Sequence, residues 1–318
     1  MNYQLTVIIP VYNDSTNIIR CLDSVFSQSF KQLEVIVIND ASTDNTLRVL
    51  RKYNKEYPIN IMNLLQNIGA GGCRNLGIHA SKTSYITFLD SDDWIDFSTY
   101  ERCFDAIIHG VKPDPDIVMF GLMYDYPQYN RRVKKYAYDR QYEMSGSTAI
   151  KTYSHTVANE IKITPIVNNK LYRRKFLMEK GIMFIDGLRF QEDDAFTFEA
   201  LAQAEKVFAV GNCFYHYCQR KGSVIHNVSE SSINGFVEAY KKLKLNLEQK
   251  RLFDLYEDEF YLKMKGSLLG VIKRTIDCSD SAEKTRELVS LLIKKLIKEF
   301  EINRLLATFD FETIRRFL

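Results

Sequence analysis

The sequence predicts an α/β protein: a mostly parallel, doubly wound sheet flanked by helices and followed by a helical C-terminal region. Three observations carry that prediction. Short continuous apolar runs, LTVIIP (5–10), LEVIVI (33–38) and YITFL (85–89), have the composition of strands buried on both faces. Between them, segments with apolar residues at three- and four-residue spacing read as helices. Each run ends in a cluster of Asp, Asn or Ser, the chemistry of polar loops at a sheet edge.

Taken in order, Leu5–Pro10 is the first strand and Asn17–Phe26 a helix with Ile18, Ile19, Leu22, Val25 and Phe26 inward. Leu33–Ile38 is the second strand, and Thr46–Tyr57 a helix with Leu47, Val49 and Leu50 inward. Ile59–Leu65, Gly72–Ala80 and Tyr85–Leu89 follow as strand, helix and strand; a helix near Tyr100–His109 then precedes the strand Asp116–Phe120. Alternation of this kind implies right-handed crossovers, and in such sheets ligands sit outside the carboxyl ends of the strands. Further on, Ala195–Ala204 is a helix. Near the end, Phe236–Leu247, Tyr256–Thr275 and Ala282–Leu306 carry helical apolar spacing with Lys and Glu between.

The composition bounds the function. With 318 residues, 46% apolar and 26% charged, the chain has the make-up of a globular protein of two domains. No window approaches the ~18–20 apolar residues of a membrane span. The start reads as a strand rather than a signal peptide, and the six cysteines form no CxxC pair. They are expected as reduced thiols in a cytoplasmic protein, at most one working at the inner face of the membrane. The net charge of +3 is unevenly spread: residues 1–128 come to −5 and residues 129–175 to +8. No broad basic face exists, so nucleic acid is not the expected partner. The split suits a site that holds a cation in one half and meets an anionic partner with the other, although a solvated basic loop explains it equally well. Six tyrosines between Tyr124 and Tyr142 accompany the basic stretch and suit sugar stacking or simply strands.

The loops after the strands are specific. Pro10–Asp14 follows the first, Asn39–Asp44 the second, Asn67–Gly77 the third and Asp90-Ser91-Asp92-Asp93 the fourth. Asp14, Ser42 and Asp44 read as helix caps. Asp90, Asp92 and Asp93 crowd within four residues, and a bound cation is the natural compensation for their repulsion. A second cluster, Glu192-Asp193-Asp194, precedes a helix, where the dipole alone explains Asp194. Gly69-x-Gly71 follows the third strand with Arg74 in place of a third glycine, and no GxxxxGK[ST] loop occurs. A dehydrogenase and a P-loop NTPase are therefore disfavoured.

In this order and spacing, VIIPVYN, NDASTD, NIGAGGCRNLGI and FLDSDDW, continued by NNKLYRRKFL, QEDD and YHYCQRKGSVIH, resemble an inverting family 2 glycosyltransferase with the GT-A fold, of the kind that builds bacterial surface glycans. The resemblance covers roughly the first 226 residues, with Asn39 standing where an Asp is usual. It implies a catalytic domain over 1–226, with a nucleotide-sugar half to about 125 and an acceptor half from about 126, and a helical region over 227–318. It also implies a UDP-sugar donor, with Pro10, Tyr12 and Asp14 at the nucleoside and Asp40 accepting from the uracil N3–H. Asn67 and Arg74 would lie beside base and phosphates, Asp90 would hold the ribose, and Ser91 would join the donor set. Asp92 is the implied direct ligand to Mn²⁺ or Mg²⁺ within the box of Asp90, Asp92 and Asp93, with His226 completing the shell. Asp193 is the implied base and Glu192 its orienting neighbour. Arg220 and Ser223 would contact the diphosphate from a flexible lid. Trp94 and His216 are expected as packing residues.

The expected acceptor is a hydroxyl of a glycan, a lipid-linked glycan or a glycoprotein. The C-terminal helices are expected to pack on the catalytic domain, on a second copy or against an anionic membrane surface. Two other functions fit less well. A noncatalytic glycan- or nucleotide-sugar-binding subunit would lack the base. A sugar nucleotidyltransferase would carry its glycine–arginine loop after the first strand, where this chain has VYND.

Overall fold

Leu5–Val11 (β1) is apolar because both its faces are covered, and all seven of its side chains are buried. The computed structural model describes residues 4–110, 112–154, 161–219, 229–278 and 281–308. β2 (Leu33–Asn39), β3 (Asn60–Asn63) and β4 (Tyr85–Phe88) form a parallel set with β1. β9 (Lys170–Arg173) then lies antiparallel between β4 and β6 (Ile117–Tyr126), and β6 runs parallel to β10 (Lys206–Cys218). β5 (Trp94–Ile95), β7 (Arg131–Tyr136) and β8 (Tyr142–Ser145) add antiparallel pairings to β10 and β6. The described strands make one sheet in the order β3–β2–β1–β4–β9–β6–β10–β5, with β7 beside β6 and β8 beside β10.

Successive strand residues point to opposite layers. Ile8, Ile36, Ile38, Ile86 and Phe88 face a core shared with α3 (Gly69–Ala80), α5 (Gly146–Ser154), α6 (Arg174–Lys180) and α7 (Glu192–Gln203). Val7, Ile9, Val35 and Val37 face the other, under α1 (Ile18–Phe26), α2 (Thr46–Tyr53) and α4 (Thr99–His109). Ile19, expected inward, is 43% exposed, and Cys21 fills the inner stripe of α1 instead. The third helix approaches β1 closely through Gly77, where a Cβ would stand 2.4 Å from Ile8 Cγ2.

α8 (Glu230–Gln249), α9 (Glu257–Cys278), α10 (Ala282–Glu299) and α11 (Ile302–Ala307) follow. The last two break at Phe300 what the sequence pattern joins as one helix. Their apolar faces do not form a separate core: Phe236, Tyr240, Phe260 and Met264 belong to the same cluster as Phe196 and Phe198 of α7. A buried polar knot reinforces the contact. The Asp194 carboxylate, 4% exposed, accepts from Tyr240 Oη at 2.8 Å and Ser267 Oγ at 2.9 Å and pairs with Lys263 Nζ at 3.1 Å. Tyr153 of α5 donates to it as well, and the Lys263 ammonium sits 4.1 Å from that tyrosine's ring. The helix-dipole account of Asp194 is therefore incomplete: its carboxylate ties α7 to α5, α8 and α9.

Lys263→Met should cost about 3–5 kcal/mol, the range for stripping a buried carboxylate of its cation. Adding Asp194→Asn to that variant should recover part of the loss, because no uncompensated charge then remains. Urea midpoints of the single and double variants check both outcomes.

Candidate active site

The loops after β1, β2 and β4 are tied to one another. Asn13 Oδ1 accepts from the Thr43 N–H at 2.8 Å, Ser42 Oγ from the Asn13 N–H at 2.9 Å, and Asp14 Oδ2 from Ser91 Oγ at 2.7 Å. Asp14 thus bridges the first and fourth loops rather than capping α1, whereas Asp44 does accept from the Thr46 N–H at the start of α2, at 2.9 Å. Pro10 is buried inside β1 opposite Ile38, which leaves Tyr12, 51% exposed, as the ring presented at this edge.

The start of α3 is set by Asp40. Its two carboxylate oxygens accept from the Ile68 and Gly69 N–H groups at 2.8 and 2.9 Å, and Asn67 Nδ2 reaches its carbonyl. These are N–H groups that a helix leaves unpaired at its first turn, so the carboxylate serves as a cap from a neighbouring loop. Arg189 Nη2 donates to Asn67 Oδ1 at 3.1 Å, bringing into this corner a guanidinium that belongs to no motif in the sequence.

One turn into α3, Arg74 is buried, its side chain only 3% exposed. Nη2 donates to Asp90 Oδ1 at 2.9 Å and Nη1 to Asp193 Oδ1 at 2.6 Å, with Glu192 Oε1 at 3.6 Å. Its guanidinium carbon lies 5.2 Å from the centre of the Phe184 ring. The neighbouring Asn75 holds Phe184 by both its N–H and its carbonyl, at 2.9 and 2.8 Å. Asp90 is fixed from its other oxygen by Asn168 Nδ2 at 2.7 Å, which also donates to Tyr215 Oη. The structure therefore brings Arg74, Asp90, Glu192 and Asp193 into one cleft at the sheet edge. Arg74 is buried in the cleft, and its two terminal nitrogens hold carboxylates.

Asp193 is the second residue of α7, which Glu192 opens directly after Gln191, a residue with a left-handed φ of 60°. Its carboxyl is pushed up to about 7: burial raises it most, Arg74 opposes, and the charges of Glu192 and Asp90 raise it further. A hydrogen bond from the Val167 backbone favours the ionised form. Behind that segment Lys170 is fully buried and donates through Nζ to the carbonyls of Thr164 at 2.9 Å and Ile166 at 2.5 Å. Burial lowers its ammonium to about 7, against the pull of Asp193.

The three carboxylates after β4 separate in role. Asp93 is fully buried, takes the Cys218 N–H at 2.8 Å and the Tyr215 hydroxyl, and is held well above the usual carboxylate range by burial and by Asp90. That removes it from the expected metal box. Asp92 is half-buried, and its carbonyl accepts from Arg20. Trp94, expected in the core, is half-buried, stacks on His216 at 3.5 Å and donates to Asp125. His216 is a packing residue as expected, buried between Asp96 and Asp125 at 2.9 and 3.0 Å. Asn39, where an Asp is usual, donates to Asn63 Oδ1 at 2.6 Å while its own Oδ1 is buried with no partner among the described residues. Arg220, Ser223 and His226 lie outside the described residues.

A family profile described as "Glycosyl transferase family 2" matches residues 6–179. The chain belongs to this family. Among its relatives, glycosyltransferase GlyA of Streptococcus pneumoniae serotype 4 is 28% identical over 243 residues, which is 74% of this chain and 33% of that protein. The poly(ribitol-phosphate) beta-N-acetylglucosaminyltransferase TarS of Staphylococcus aureus is 25% identical over 259 residues, 80% of this chain and 42% of that one. The chain thus spans less than half the length of either relative. The crystal structure of S. aureus TarS 1–349 in complex with UDP-GlcNAc superposes with a TM-score of 0.62 at 20% identity, covering 92% of this chain and 89% of that one. Mannosyltransferase PcManGT of Pyrobaculum calidifontis, in complex with GDP-Man and Mn²⁺, does so with a TM-score of 0.55 at 15% identity. The mixed sheet with flanking helices is the GT-A fold that the chain shares with TarS.

Arg74→Gln removes the charge that holds the Asp193 carboxyl down, so its midpoint should move above about 7. Carbon-detected NMR titration of wild type and variant reads the shift directly.

Proposed function

We propose that the chain transfers a sugar from a UDP-sugar to a hydroxyl of a glycan, lipid-linked glycan or glycoprotein, with inversion, using Mn²⁺ or Mg²⁺. The observation that carries this reading is the Asp193 carboxylate held at 2.6 Å by the buried Arg74, beside Asp90 and Glu192, in a cleft at the sheet edge, where burial raises its carboxyl to about 7. A base poised near neutrality can take a proton in the transition state and release it afterwards. In the proposed step Asp193 accepts the acceptor hydroxyl's proton as that oxygen attacks the anomeric carbon. The bond to the diphosphate breaks on the opposite face, and UDP leaves. Arg74 keeps the base aimed, and Glu192 orients donor or acceptor.

Tyr12, Asp14 and Asn67 stand at the edge proposed for the nucleoside, and Asp90 and Ser91 beside the proposed ribose. Asp40, as a cap, supports the base site through the loop it fixes. The TarS complex with UDP-GlcNAc supports a UDP-sugar donor, and the PcManGT complex supports Mn²⁺. The all-oxygen chemistry of Asp90 and Asp92 suits a hard cation. Among the described residues no group of three or more His, Cys, Asp or Glu forms a metal cluster, so Asp92 is the proposed protein ligand among them. Bound there, the cation would neutralise charge on the leaving diphosphate. No described helix is long and apolar enough to cross a membrane, which fits a catalytic unit that works at the inner membrane face or away from it.

Asp193→Asn should lower transfer by about 10²–10⁴-fold, the usual contribution of a general base, and leave UDP binding nearly unchanged. In the wild type kcat/KM should fall as pH drops below about 7, because the base is then protonated. Full turnover in the Asn variant would move the role to another group. Asp92→Ala should lose the Mn²⁺-dependent part of UDP-sugar affinity, read by calorimetry with and without the metal; unchanged affinity in Mn²⁺ would exclude Asp92 as ligand.

A further inference from the structure

A second cavity, of about 740 Å³, adjoins the loop that carries Asp90 and Asp92, and three of its lining side chains are arginines: Arg20, Arg131 and Arg132. Its volume falls within the ~300–1,000 Å³ typical of small-ligand sites. Two bonds join it to the carboxylate loop. Arg20 Nη2 donates to the Asp92 carbonyl, and the N–H of Cys218, another lining residue, donates to Asp93 Oδ1 at 2.8 Å.

The charge in this cavity is unbalanced. Its one lining carboxylate, Asp125, is 5% exposed and already accepts from Trp94 Nε1 at 3.1 Å and faces His216 Nδ1 at 3.0 Å. Arg132 Nε stands 3.5 Å from the same carboxylate, with its guanidinium carbon 5.0 Å from the centre of the Trp94 ring. Arg131 lies 6.0 Å from the Tyr126 ring, and Arg20, besides its bond to the Asp92 carbonyl, attracts the buried Asp93 carboxylate, which burial holds well above the usual range all the same. Arg131 and Arg132 come from β7, an edge strand whose sequence is RRVKKY. Guanidinium forks in a concavity match the oxygens of phosphate better than ammonium groups do.

We infer that this cavity is an acceptor subsite that takes a phosphate group of the acceptor, so that the sugar is delivered to a hydroxyl of a phosphodiester-bearing chain. The inference rests on the reading of the chain as a UDP-sugar-dependent transferase. Arg20, Arg131 and Arg132 hold the phosphate, while Trp94 and Tyr126 line the wall beside it. Asp125 keeps Arg132 and Trp94 in place.

The test uses an oligo(glycerol phosphate) as probe and a dextran oligomer as its neutral counterpart, with the full chain, with and without saturating UDP and Mg²⁺. The wild type should bind the phosphate oligomer in both conditions, more weakly as salt rises, and ignore the dextran. Arg131→Gln/Arg132→Gln should weaken that binding at least about tenfold, as expected for two lost charge-assisted contacts. Lys134→Gln/Lys135→Gln, an equal charge loss on the same strand outside the cavity, should change it less than about twofold. UDP affinity should be equal in all three proteins. Equal loss in the two double variants, no loss in the arginine pair, or wild-type binding to phosphatidylglycerol vesicles but not to the oligomer would overturn the inference. Failure of UDP to bind the wild type would instead count against the donor reading, and the UDP-free arm would still judge the cavity.

Discussion

A guanidinium can leave water only where anions replace the hydration it loses, and that requirement at Arg74 organises the cleft. Its three carboxylate partners come from two distant places in the chain, the loop after β4 and the first two residues of α7, so α3, β4 and α7 must converge on one point. The surrounding contacts hold that convergence in place. Asp40 sets where α3 begins, Asn75 pins Phe184 against the guanidinium, and Asn168 fixes Asp90 from behind. One cation among three carboxylates leaves negative charge in excess, and the excess together with burial is what raises Asp193.

Much of this is legible in the sequence, for a physical reason. Strands covered on both faces are mostly apolar, so β1, β2 and β4 announce themselves, and the polar loops that follow them lie at the sheet edge. Asp90 and Asp193 stand out as crowded carboxylates for the same reason. What sequence cannot rank is which acid in a cluster is buried. Asp93 and Asp194 look like their neighbours, yet each is enclosed by hydroxyl and N–H or ammonium donors from elements remote in sequence. The central strand β9 escapes notice because it opens with Lys170, whose burial depends on backbone carbonyls that no periodicity reveals. Asn168 and Arg189 are missed for the same reason, since their partners lie far away along the chain.

The uneven charge along the sequence also acquires a spatial meaning. Several acids of the first 128 residues are turned inward and paired, Asp40 with helix N–H groups, Asp116 with Arg173 and Asp125 with His216 and Trp94. The basic stretch that follows supplies the exposed edge strand β7. Positive charge therefore lines the rim while negative charge gathers at the cleft. A basic edge also discourages pairing with another chain's strand, so the same residues keep β7 from extending the sheet.

The Asp194 knot makes the C-terminal helices something other than a lid on the core. Asp193 and Asp194 are adjacent in one helical turn, the first facing the cleft and the second held by α5, α8 and α9. Thermodynamic linkage is reciprocal, so if displacing α9 alters the free energy of placing charge at Asp193, discharging Asp193 acts back on α9 by the same amount. The matched family segment ends at residue 179, ahead of both aspartates. Sequence change in the helices is thus free to retune Asp193 while the matched segment stays as it is.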